Sequence, residues 1–330
     1  MAARAAAFSD PEVAALLAAE FVPVAENCSH LQRQQDAEGD LFRLIAEQGH
    51  YGGRFQPTDT RQGMYACRPD GTLLGSCNVH GADRLLPVLR RALEGWREGA
   101  GARAGAGDGA TDGRYRQEPP PGGLALRVWV RDLPRDPEAD ARPDDWRRRA
   151  FNLDHAWFRA DEAAALVPEA TAGASVAWPE ALARRVARFH LIDNVRGEPP
   201  MWRDDEVREA EMRSRVREVR GGRVRLDLEG HAALGGLSRW TDDWTGRPQE
   251  SARSTEARFD GEAEWDVALR RFARFDLVAV GTRVGGTQYN SRGDDPGPAP
   301  IGWAWEIADG SLPGDATPPQ GFHGRYFQPA

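Results

Sequence analysis

Val224, Leu226 and Leu228 alternate with Arg225, Asp227 and Glu229. A period of two sends one set of side chains to each face of an extended chain, which commits the segment to a sheet with one buried and one wet face. Comparable runs cover 212–219, 224–234, 257–269, 272–283 and 301–307, with Gly221-Gly222 turning the chain between the first two. Turns this short leave successive strands antiparallel, so the expected architecture is a meander: a curved antiparallel sheet, barrel-like in its closure. Ahead of it, Leu124, Leu126, Val128 and Val130 predict another strand over 124–130, and Leu182, Val186 and Phe189 predict a helix over 180–192 with those residues inward.

The β-rich pattern has a clear upstream limit. Residues 99–123 hold almost nothing apolar and much Gly and Pro, too little to offset the entropy of ordering, and read as a flexible linker. Of eleven Trp, ten follow residue 123, so the composition changes across that stretch. A chain of 330 residues most often forms two domains. The expected division is an N-terminal domain over 1–98, a linker over 99–123 and an antiparallel β-rich domain over 124–330, an α+β chain.

In the N-terminal part, 64–68 and 72–77 are short runs of strand formers separated by Pro69-Asp70-Gly71, which predicts a hairpin. Leu85, Leu86, Leu89 and Leu93 then give a helix over 82–96 one apolar stripe to lay on it. Upstream, Ser9 with Glu12 reads as a capping box for a helix to about residue 19. A strand is expected over 21–25, edge-tolerant because of Pro23, and a helix over 31–48 with Leu41, Phe42, Leu44 and Ile45 buried. The order helix, strand, helix, long loop, hairpin, helix over about residues 8–96 resembles the thioredoxin-like superfamily entered after its first strand. The Cys-x-x-Cys pair that the resemblance implies before the first helix is missing, and Arg61-Gln62-Gly63 stands where that superfamily commonly has a cis-proline. What the resemblance implies here is therefore the fold without dithiol exchange.

Composition removes several activities. The net charge of −8 argues against nucleic acid as a partner, because phosphate neutralisation needs a surplus of cations. All 43 cationic residues are Arg, which reads as the coding bias of a GC-rich bacterial genome and excludes Schiff-base and phosphate-loop lysines. No apolar run reaches the ~20 residues of a membrane span, and residues 1–7 do not form a signal peptide, so a cytoplasmic protein with no membrane partner is expected. Three cysteines, an odd number in so long a chain, are expected to be reduced thiols. No phosphate loop, nucleophile elbow or four-cysteine zinc pattern is present, which excludes nucleotide-dependent and α/β-hydrolase chemistry.

What remains as candidate chemistry falls in three places. Cys28 and His30 leave the end of the expected strand 21–25, where an imidazole two residues from a thiol can lower its pKa or share a soft metal. His50 lies in a Gly-rich loop followed by Arg61, the furniture of a rim that closes on an anion. His155 with Asp154, and His190 with Asp193, concentrate imidazole and carboxylate in apolar surroundings and predict that the two histidines converge. Cys28, His50 and Arg61 are thus the catalytic candidates, and His30, His155, His190 and Asp193 the metal candidates, with a transition metal as the one cofactor considered. The expected function is an atypical thiol- or metal-dependent oxidoreductase with a pocket for a small molecule or peptide in the β-rich domain. Its rival is a non-catalytic ligand-binding or scaffold protein with a redox-inactive thioredoxin-like domain.

Overall fold

The computed structural model describes residues 7–8, 10–26, 28–34, 36–53, 61–78, 81–99, 118–136, 150–197, 199–241, 246–290, 292–311, 315, 317–319 and 326–327. The chain divides into two compact units, Met1–Glu118 and Pro119–Ala330. The centre of the expected linker, 100–117, lies outside the described residues. Among the described residues no helix is long and apolar enough to cross a membrane.

Unit 1 contains α1 (Pro11–Glu20), the single turn α2 (Cys28–Leu31), α3 (Ala37–Glu47), β1 (Met64–Cys67), β2 (Leu73–Cys77) and α4 (Ala82–Arg97). Helix α1 is capped by Asp10, whose Oδ1 accepts from the N–H groups of Glu12 and Val13; the expected cap, Ser9, lies outside the described residues. The hairpin forms as the turn chemistry requires. Gly71 takes φ +82°, and the Asp70 carboxylate accepts from the Thr72 N–H. Leu85, Leu86 and Leu89 of α4 are buried in a core shared with Val13 of α1 and Cys77 of β2.

Two expectations for this unit fail. Residues 31–48 are not one helix: the chain breaks after α2 and restarts where Asp36 caps α3 through the Gly39 N–H, so Gly39 stands in a first turn and not mid-helix. The break is held by Arg43, whose Nη1 reaches the carbonyls of Gln32 and Gln34 at 3.0 and 2.7 Å and supplies donors that a continuous helix would have drawn from its own backbone. Residues 21–25 belong to no helix or sheet, with Val22 and Val24 at 91% and 78% exposure. Pro23 has no N–H to give a ladder, and nothing apolar lies over its neighbours. The sheet of unit 1 among the described residues is the hairpin alone.

Unit 2 is an eight-stranded antiparallel sheet of order β4-β3-β10-β9-β8-β7-β6-β5. Its strands are β3 (Leu124–Asp132), β4 (Phe151–Phe158), β5 (Ser175–Ala177), β6 (Val207–Arg220), β7 (Arg223–Thr241), β8 (Pro248–Asp266), β9 (Arg271–Val284) and β10 (Ala299–Ile307). Helices α5 (Ala160–Ala165) and α6 (Glu180–His190) fall between β4 and β6 in the chain. The meander is as the alternation predicts, with strands longer than the apolar runs, because β7 and β8 pair without interruption from Arg223↔Asp266 to Thr241↔Pro248. Leu269, expected in a strand, instead lies in the β8–β9 turn, 58% exposed. Among the described residues the sheet does not close: β4 and β5 are its edges, so the barrel-like expectation is replaced by an open sheet with few helices. The core lies between one sheet face and the helices, where Leu126, Val128, Leu226, Leu228, Phe275, Trp303 and Trp305 meet Leu182 and Val186 of α6. Each such side chain contributes roughly 1.5–3 kcal/mol by leaving water.

Candidate functional site

The two histidines singled out in unit 2 are both buried, His155 at 0% and His190 at 2% exposure, but in different roles. His190 ends α6 and places Nε2 2.8 Å from the Tyr326 hydroxyl and Nδ1 3.5 Å from Asp154 Oδ2. Burial raises the Tyr326 phenol above its ordinary value, so it is neutral with one proton to give. Its oxygen also accepts from the Trp157 N–H at 3.2 Å. His155 pairs across the sheet with Arg127, on the face opposite the α6 core. Burial pushes its imidazole below the ordinary value against the attraction of Asp154 and Asp315, while Arg127 and His190 add to the lowering.

The polar residues of β4 have a backbone task. As an edge strand, β4 turns alternate N–H groups away from β3. The N–H of Leu153 donates to Asn152 Oδ1 at 2.9 Å, that of His155 to Asp154 Oδ1 at 2.8 Å, and that of Trp157 to Tyr326. Arg185 of α6 closes the row by donating to the Trp157 carbonyl at 3.3 Å, and the same guanidinium binds Glu162 of α5 at 2.6 Å. What reads in sequence as a cluster of acid–base groups is thus largely a set of caps for an unpaired strand edge.

Asp193 does not join the histidines. Its Oδ2 accepts from Arg292 Nε at 2.6 Å and from Asn290 at 3.2 Å, and its Oδ1 accepts from Arg292 Nη2. Arg292 in turn clasps Asp132 at the end of β3 through two bonds of 2.8 Å. Burial opposes the charge on Arg292, but these hydrogen bonds outweigh it and raise its pKa. The network continues through Arg196 to Asp294 at 3.1 Å and through Arg283 to Asp295. It fastens β3, the segment after α6 and the β9–β10 connection together. Both oxygens of Asp193 are committed to it, and among the described residues no group of three His, Cys, Asp or Glu side chains forms a metal site.

In unit 1 the catalytic candidates gather around Tyr65. Its ring stacks on His50 with centroids 5.3 Å apart, its hydroxyl donates to the Arg61 carbonyl at 2.9 Å, and its edge meets Phe42 at 5.9 Å. Cys28 packs on the same Phe42 and Ala46 cluster. Gln32, one turn after Cys28, accepts the Arg61 N–H at 3.0 Å. His50 Nε2 donates to the Gln62 carbonyl at 3.1 Å, and a side chain at Gly63 would lie 2.4 Å from the imidazole, so this position must be glycine. His30 lies in α2, and its side chain falls outside the described residues. Cys67 and Cys77 stand opposite Leu73 and Met64, three residues apart along the hairpin or roughly 10 Å, which no disulfide spans. The Cys67 thiol is pushed up by partial covering of its sulfur and then by the charge of Asp70.

The face of the unit 2 sheet turned away from α6 falls into two halves. Over β6 to β9 it is a lattice of ion pairs, such as Arg213–Glu229, Arg217–Glu262 and Arg225–Glu218. Over β9, β10, β3 and β4 it is an apolar trough of about 400 Å³. Two cross-strand rows build it. Phe151, Arg131, Gly302 and Val280 form one, and Trp129, Ala304 and Val278 the other. Gly302 and Ala304 make the low floor, Leu133 overhangs Gly302, and Phe151, Val278 and Val280 stand 60%, 45% and 55% exposed. The Trp129 Nε1–H is taken by Glu306 at 3.0 Å, which fixes the indole as a wall. None of the candidate catalytic or metal-ligating residues marks this trough, although the sequence carries a signal for it: alternation fails at Leu277-Val278-Ala279-Val280 and again in Ile301-Gly302-Trp303-Ala304, where apolar residues face both sides. Comparison with family models, with curated proteins and with solved structures finds no match to this chain.

Proposed function

We propose that this is a non-catalytic binding protein whose C-terminal unit takes an apolar ligand in the trough between β9 and β4. The observation that carries the reading is the trough itself: three large apolar side chains left exposed around a floor of Gly302 and Ala304, in a space of about 400 Å³. Exposed apolar surface of this kind is costly to keep in water and marks binding sites, and the volume suits a small molecule. The titrating residues, by contrast, are consumed in capping a strand edge and in a closed ion network, which leaves the binding reading better supported than the catalytic one. The test is fluorescence titration with the neutral apolar probe N-phenyl-1-naphthylamine. Saturable binding that quenches tryptophan emission and is lost in Ala304→Phe, which fills the floor, supports the proposal; no binding, or binding indifferent to that substitution, refutes it.

A second reading belongs to unit 1, proposed as a thioredoxin-like domain. An atypical thiol-dependent oxidoreductase is favoured by one observation, that the elements carrying Cys28, His50 and Arg61 meet at Tyr65. With Cys67 and Cys77 too far apart to bridge, the expected outcome is no reduction of insulin disulfides with dithiothreitol as donor. Turnover that disappears in Cys28→Ser would restore the catalytic reading.

A further inference from the structure

We infer that the tips of the β6–β7 and β8–β9 turns form a second binding surface, one that rests peripherally on an anionic lipid bilayer. Tyr289 apart, the large apolar side chains that unit 2 leaves exposed among the described residues fall into two groups. Three stand around the trough, and Val219, Val267 and Leu269 sit together at one end of the sheet, 42%, 48% and 58% exposed. The two turns are adjacent: Arg223 pairs with Asp266 across β7 and β8, and the Val267 N–H donates to the Gly222 carbonyl at 3.0 Å. Val219 on β6 and Val267 beyond β8 are thus two strand spacings apart, or about 10 Å. The β8–β9 turn is built to hold its shape, since Asp266 accepts the Leu269 N–H at 2.9 Å and Arg270 takes φ +50°. Tight turns ordinarily carry Gly, Asn, Asp or Ser, so a turn of Val267, Ala268, Leu269 and Arg270 keeps apolar side chains in water against the local rule.

Charge selects the partner. Residues 219–223 and 266–271 hold four arginines against one carboxylate. That carboxylate, Asp266, engages Arg223 at 3.1 Å and attracts Arg271. Arg220 and Arg270 are exposed and make no hydrogen bond or ion pair among the described residues. The acid elsewhere in a chain of net charge −8 is largely screened beyond about 8 Å at physiological salt, so the tips present a local surplus of cation. Apolar side chains flanked by unmatched guanidiniums suit the boundary where headgroups meet acyl chains: Val219, Val267 and Leu269 enter the apolar side while Arg220 and Arg270 take headgroup oxygens. Nucleic acid offers the phosphates but nothing for the three apolar side chains. Such a contact is peripheral and needs no spanning helix.

The experiment is co-sedimentation of the full-length protein with vesicles of phosphatidylcholine alone and of phosphatidylcholine with phosphatidylserine at about 3:1. The expected result is binding at least tenfold stronger to the mixed vesicles, weakened by added salt. Arg220→Gln combined with Arg270→Asn, Asn being tolerated at positive φ, should bring the two compositions level, and Leu269→Ser should weaken binding to the mixed vesicles severalfold. Melting curves establish that each variant is folded. No binding to the mixed vesicles, equal binding to both compositions by the unaltered protein, a preference that survives the double substitution, or indifference to Leu269→Ser overturns the inference. Retention on heparin that the double substitution abolishes, without vesicle binding, names a soluble polyanion as the occupant and overturns the bilayer as well.

Discussion

His155 and Tyr326 show how one buried side chain ties stability to pH and another to geometry. The folded His155 imidazole lies below its ordinary value of 6.5, whereas in the unfolded chain it takes up a proton near that value. The unfolded state therefore binds more protons as the pH falls below 6.5, so the stability contributed by the neutral buried ring is complete above that pH and declines beneath it. Melting temperature followed from pH 8 to 5 should fall in the acid half of the range, and His155→Phe should flatten that fall. A separate loss belongs lower. Burial would raise the Glu162 carboxyl, but the hydrogen bonds from Arg185 and the Arg159 N–H hold it below its ordinary 4.5, so its contribution is lost as the pH drops through the acid range beneath that value. Tyr326→Phe removes the acceptor of the Trp157 N–H and the partner of His190 Nε2 together, and urea denaturation should register a loss of roughly 1–3 kcal/mol for each group left unsatisfied. Sequence reasoning could see that His155 and His190 are buried, since apolar neighbours flank both. It could not see that Asp154 serves its own strand's backbone, because that depends on β4 being an edge, which only the pairing order decides.

At the scale of elements, the hairpin and the β6–β9 meander were legible because each is specified locally, by turn residues and by period-two alternation. Gly71→Ala tests the turn: a Cβ at φ +82° should cost about 1 kcal/mol and weaken the β1–β2 pair, measurable as faster amide exchange in that hairpin. The break between α2 and α3 was not legible, because it rests on Arg43 finding the carbonyls of Gln32 and Gln34, a contact without periodic signature. Nor was the fastening of the β9–β10 connection, made by residues as distant as Asp132, Asp193 and Arg292. Arg292→Leu strands two carboxylates without their main counter-charge and should lower unfolding free energy by about 3–5 kcal/mol, read from denaturant midpoints. A much smaller loss would mean that Arg196 and Arg283 suffice to hold those carboxylates.

For the molecule as a whole, the large core is built entirely from residues 124–305, so a fragment spanning Pro119–Ala330 should fold alone with one cooperative transition. Failure of that fragment to melt cooperatively would show that unit 1 is required for its fold. The caps along β4 carry one further implication. Eight strands that do not close leave two places where another chain could add a strand, and β5 is only three residues long where the other edge, β4, is eight. That long edge is kept from recruiting neighbours by Asn152, Asp154, Arg185 and, from near the chain's end, Tyr326. A stop codon ahead of Tyr326 would therefore leave almost the whole core intact and yet produce a sticky protein, one that fibrillates or precipitates in the cell while its isolated monomer still looks nearly native.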